Sequence, residues 1–109
     1  MVKLLKVVSS NKKNKKFDAI FKLDDDKEKT ISFGAKTYRD YTLINNKDSS
    51  FYLEKKADRD VVKERYIQRH KKREDWSDPM KAGTLSRFLL WNRKTLKASI
   101  TDYKKQFNL

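Results

Sequence analysis

Five basic side chains crowd into nine positions: Arg65, Arg69, Lys71, Lys72 and Arg73. Guanidinium and ammonium groups at this density neutralise phosphate oxygens and release counterions, which drives binding to nucleic acid without reading its sequence. The stretch from Arg59 to Arg73 holds no Gly or Pro, so it can run as one helix. Such a helix is about 22 Å long, which suits a groove or a phosphate track. Arg87, Arg93 and Lys94 would extend the same patch. A second reading competes with the first. Cations near a helix C-terminus offset the macrodipole without any ligand, and Glu64, Glu74 and Asp75 are close by in the sequence.

Other chemistries find less support. His70 is the only histidine and cysteine is absent, so a metal would need carboxylates at a ligand spacing that the chain does not show. Asp24, Asp25 and Asp26 form a carboxylate run, but without the alternating ligands and Gly of a calcium loop. The run reads as a solvated turn. Only Gly34 and Gly83 are glycines, so there is no phosphate-cradling glycine loop, and no Ser or Thr has an obvious base. The expectation is a protein without catalytic residues, metal, cofactor or small-molecule substrate. Tyr38, Tyr41, Trp76 and Trp91 lie beside basic residues, and aromatic rings next to positive charge can stack unpaired bases. In a chain this short the two tryptophans read more simply as core anchors, with Trp76 also a candidate interface residue.

The bulk composition agrees with a polyanion partner. The 109 residues carry 28 Lys and Arg against 15 Asp and Glu, a formal charge of +13. The excess is distributed: 12 basic against 7 acidic residues in 1–53, 9 against 6 in 54–76, and 7 against 2 in 77–109. A field of that sign attracts nucleic acid, anionic lipid or acidic protein. Thirteen aromatics with two Gly and one Pro argue for a folded chain, since disordered segments are poor in aromatics. The length suits one domain. The apolar residues of MVKLLKVV give way to polar Ser9–Lys16 too soon for a secretion signal. No apolar run approaches the roughly 20 residues that span a bilayer.

The first half must supply strands. Val2–Val8 is apolar with lysines interspersed, and Phe17, Ala19, Phe21 and Leu23 alternate with polar residues at period two. Thr30–Phe33 is short and β-rich, and Gly34 ends it. The polar connectors Asn11–Lys16 and Asp24–Lys29 make this a three-stranded meander whose register no tight turn pins. Gly34–Tyr52 has clustered aromatics without a period and reads as a surface connection. The second half supplies helices. Asp58 is the expected N-cap of the basic helix, with Val62, Tyr66, Ile67 and His70 as its narrow apolar stripe. Asp78-Pro79 reads as a helix start, followed by an apolar face of Leu85, Phe88 and Leu89, with Trp91 adjoining. Thr95 caps a final helix whose stripe is Leu96, Ile100, Tyr103 and Phe107. Strands first and helices second predict an α+β domain, with two or three C-terminal helices on one face of a small antiparallel sheet.

Several motifs resemble a known family: FGAKTYRDYT (Phe33–Thr42), RYIQRHKKREDWSDPMKAGTLSRFLLWN (Arg65–Asn92) and TLKASI (Thr95–Ile100). Together they cover about residues 32–107 and resemble short basic proteins of unassigned function encoded by nucleocytoplasmic large DNA viruses of algae and amoebae. The first 30 residues and the Asn45–Asp60 segment fall outside the resemblance. It implies a viral source and action in the cytoplasm or viral factory of an infected host cell, or in the virion. It carries over no catalytic residue.

The leading functional expectation is sequence-tolerant binding to the phosphate backbone of DNA or RNA by Arg65, Arg69, Lys71, Lys72, Arg73, Arg87, Arg93 and Lys94. The alternative is a virion structural or interaction module that binds an acidic viral or host protein, with Trp76 as an anchor. A small enzyme or nuclease acting through Asp24–Asp26 ranks third, with no sequence feature in its favour.

Overall fold

The computed structural model describes all 109 residues. Three antiparallel strands, β1 (Lys3–Ser9), β2 (Lys15–Lys22) and β3 (Glu28–Ala35), form a sheet in the order β1-β2-β3. The period-two pattern of β2 sets its faces. Phe17 lies opposite Phe33, Ala19 opposite Val7 and Ile31, and Phe21 opposite Leu4. Leu4 and Val7 are three residues apart and would face opposite sides of a regular strand. A bulge between Leu4 and Lys6 absorbs one residue and turns both inward, leaving Leu5 exposed. The carboxylate run forms the exposed β2–β3 turn, with Asp26 at φ 66°.

After the sheet come the short α1 (Tyr41–Ile44) and then, in the second half, α2 (Lys56–Lys71), α3 (Ala82–Leu85) leading into a π-helical turn (Ser86–Leu90), and α4 (Leu96–Phe107). Two expected helix starts are corrected. Asp58 does not cap α2. Lys55 holds the N-cap position, and its carbonyl accepts the N–H groups of Asp58 and Arg59. Arg59 Nη1 grips the carbonyls of Leu53 and Glu54 at 2.6 and 3.0 Å, which ties down the chain ahead of the helix. Asp58 sits in the first turn instead, where its charge complements the dipole. Asp78-Pro79 likewise starts no helix. Asp78 Oδ1 accepts the Met80 N–H at 2.9 Å in a local turn, and Tyr103 Oη donates to the Pro79 carbonyl at 2.6 Å. That bond holds the segment against α4, and α3 begins only at Ala82.

Thr95 caps α4 as expected, accepting the Ala98 N–H at 3.2 Å. Its stripe faces the core, with Tyr103 fully buried and Leu96, Ile100 and Phe107 packed around it. In the π-helical turn Trp91 N–H bonds to Ser86 O, a five-residue step. The wider turn leaves Leu85, Leu89 and Leu90 all buried. These leucines, Phe21 and Phe33 of the sheet, and Tyr103 of α4 belong to one buried cluster. The architecture is α+β, a three-stranded sheet with the helices in the C-terminal half. No helix is long and apolar enough to cross a membrane.

Candidate nucleic-acid interface

The apolar stripe of α2 fixes which of its cations face outward. Tyr66 is buried, and its ring stacks on Trp91 at 4.4 Å between centroids and on His70 at 4.2 Å. With this side against the core, Arg65, Arg69 and Lys72 share one outward face, since steps of four and three residues return to the same side of a helix. Arg65, Arg69, Lys71, Lys72 and Arg73 are all exposed. None of them pairs with a carboxylate: the ion pairs of the molecule involve other residues. Glu64 is bonded by Gln68 at 2.7 Å, and Glu74 by His70 and Trp76 at 3.0 and 3.3 Å. These two acidic neighbours make their short-range bonds to other side chains and form no ion pair with the cluster.

The three remaining predicted cations are placed differently. Arg87 is half-buried under Trp76 and Phe88, with its guanidinium carbon 5.5 and 5.0 Å from the two ring centres. Its Nη1 donates to the Trp91 carbonyl at 2.8 Å, and its Nε is buried without a partner. Burial lowers its pKa from the ordinary arginine value. Arg93 pairs with Asp102 at 3.2 Å, and Lys94 is exposed in the turn before α4. Lys63 Nζ donates to the Asn92 carbonyl at 2.7 Å, so this turn runs past Lys63. Lys63 stands two residues from Arg65, or about 200° round the helix, on the far side from the exposed face. Burial and the nearby Arg87 and Arg93 lower the Lys63 pKa. The structure therefore gathers Arg65, Arg69 and Lys72 with the adjoining Lys71 and Arg73, and sets Arg93 and Lys94 apart from them. Trp76 is half-buried against Arg87, and its Nε1 donates to Glu74 Oε2.

Beside Arg69 opens a cleft of about 590 Å³. One wall is the loop from Thr37 to Asp40, the other is α2 through Val62, Arg69 and His70, and Tyr66, Leu90 and Trp91 lie at its base. The loop wall is anchored by a buried ion pair. Lys16 Nζ lies 2.5 Å from Asp40 Oδ2 and donates to the Tyr38 carbonyl at 2.6 Å. The side chains of Lys16 and Asp40 are only 10% and 2% exposed. The other Asp40 oxygen accepts from Thr42 Oγ1 and from the Leu43 N–H that begins α1. Gly34, with φ 79°, closes the cleft next to Leu90. Above this anchor Tyr38 is 70% exposed and Arg39 is exposed and unpaired. Arg39 escaped the sequence reading because Phe33–Thr42 shows no period, and Lys16 because it reads as the end of the polar connector Asn11–Lys16. The Gly followed by clustered Tyr, Arg and Asp was the available signal.

Residues 5–50 match the model of a protein family described as a family of unknown function, DUF5754. The match takes in most of the sheet, the loop wall of the cleft and α1, and overlaps the viral resemblance only from Phe33 onward. No curated protein and no solved structure matches the chain.

Proposed function

We propose that this protein binds nucleic acid through phosphate contacts made by α2 and the turn that follows it, without reading sequence and without catalysing a reaction. One observation carries this reading: five neighbouring cations are exposed and none has a carboxylate partner. The helix dipole accounts for only part of the cluster. Its influence ends within the last turn, and Arg65 lies six residues before the end of α2. The net charge of +13 adds a long-range field that speeds encounter with a polyanion. The resemblance to short basic proteins of large DNA viruses supports the same partner class, since such a virus handles a long polyanion in the infected cell and the virion.

The test is fluorescence anisotropy with a labelled duplex from about 50 to 300 mM salt. Three to five phosphate contacts give a log–log slope of about −2.7 to −4.5. Substituting Arg65, Arg69 and Lys72 by Ala together flattens it by about 2.7, at about 0.9 per contact. A wild-type slope near zero refutes phosphate binding. It would shift the reading to an acidic protein partner.

A further inference from the structure

We infer that the cleft between the Thr37–Asp40 loop and α2 takes the base of an unpaired nucleotide, so that the protein prefers single strands to duplex. The inference rests on the phosphate-binding reading above and specifies its substrate. The volume of about 590 Å³ falls within the range of small-ligand sites. Tyr66, Leu90 and Trp91 make the base of the cleft apolar. Arg39 and Arg69 stand on opposite walls, both exposed and unpaired, where they can hold the phosphates flanking an inserted base. The one carboxylate in the lining, Asp40, is already neutralised by Lys16. No free negative charge in the cleft therefore opposes a phosphate at the rim.

Tyr38 adds a second reason. Tyr38, 70% exposed at the lip of the cleft, takes no part in the core, which leaves its ring free to meet a base. It also borders a smaller recess of about 250 Å³ that includes Lys36. A ring between two recesses, with a cation beyond each, can stack on successive bases of a strand. A duplex keeps its bases paired and stacked inside, so it can offer this cleft only its backbone. The position of Arg69 joins the two surfaces: it belongs both to the basic face of α2 and to the cleft wall.

The experiment compares three labelled probes of equal length on the full chain: a single-stranded oligothymidylate, an abasic strand with the same phosphates, and a blunt duplex. The expected result is binding to oligothymidylate about ten- to hundredfold tighter than to the abasic strand at one salt concentration, the range that base stacking on aromatic rings gives. Tyr38→Ala removes most of that gap and leaves abasic binding unchanged. Tyr38 is exposed and only its backbone is bonded to the fold, so the variant stays folded. Equal affinity for the oligothymidylate and abasic strands overturns the inference, as does a gap that Tyr38→Ala leaves intact. Either result leaves the phosphate reading standing if binding remains steeply salt-dependent. Failure of that reading looks different: no salt-dependent binding to any of the three probes.

Discussion

Replacing Asp40 by Ala tests whether the cleft wall is held by a buried ion pair. Asp40 is 2% exposed and its two oxygens take Lys16 Nζ, Thr42 Oγ1 and the Leu43 N–H. Removing the carboxylate leaves the Lys16 ammonium, 10% exposed, with only the Tyr38 carbonyl as partner. Breaking one side of such a pair costs about 3–5 kcal/mol, because the remaining charge is buried and uncompensated. That is a large fraction of the total, since domains are stable by about 5–15 kcal/mol. Lys16→Met should cost a similar amount by stranding Asp40. The double variant Lys16→Met/Asp40→Ala removes both charges together. It should lose only about 1–2 kcal/mol, chiefly the cap that Asp40 gives α1. The assay is urea unfolding followed by tryptophan fluorescence. With a slope of about 2 kcal/mol per M, a loss of about 4 kcal/mol moves the midpoint down by about 2 M. Two results refute the reasoning: a midpoint shift worth less than about 1 kcal/mol in Asp40→Ala, or a double variant whose cost equals the sum of the singles.

Two further predictions concern the elements around the site. Gly34→Ala places a Cβ 2.8 Å from Leu90 Cδ1 at φ 79°; it should destabilise by about 1–3 kcal/mol in the same urea assay, and an unchanged midpoint would show that the loop adapts. Asp102 accepts hydrogen bonds from Asn92 and Arg93, in that order of effect, and both hold its carboxyl below the ordinary value. Its contribution is complete above the unfolded-state value of about 3.9 and is lost as the pH falls through the lower native value. Urea midpoints measured from about pH 6 down to pH 2 should therefore fall less steeply below about pH 4 in Asp102→Asn than in the wild type.

Legibility in the sequence followed the range of the interactions. The alternation of Phe17, Ala19, Phe21 and Leu23 announced β2, and the four-three-four spacing of Leu96, Ile100, Tyr103 and Phe107 announced α4, because each pattern reports burial within one element. Thr95 as a cap was legible for the same reason: its partner, Ala98, is three residues away. The expected caps at Asp58 and Asp78 failed where more distant partners decided. Arg59 tied down Leu53 and Glu54, and Tyr103 held Pro79 from 24 residues away. The π-helical turn had no signal of its own, since its purpose is to bring Leu89 and Leu90 into a core built by other elements.

The candidate site divides along the same line. The abundance of cations on α2, and the side of the helix they occupy, follow from composition and a 3.6-residue period, which any helix with that stripe must obey. Whether those cations are free is not a property of the helix. Packing between elements decided it by burying Arg87 against Trp76 and by pairing Arg93 with Asp102, while Glu74 is engaged locally by His70 and Trp76. The cleft belongs wholly to that level. It exists because Lys16 on β2 meets Asp40 across 24 residues and holds the Tyr38–Arg39 loop facing α2, and no local pattern encodes a contact between elements so far apart.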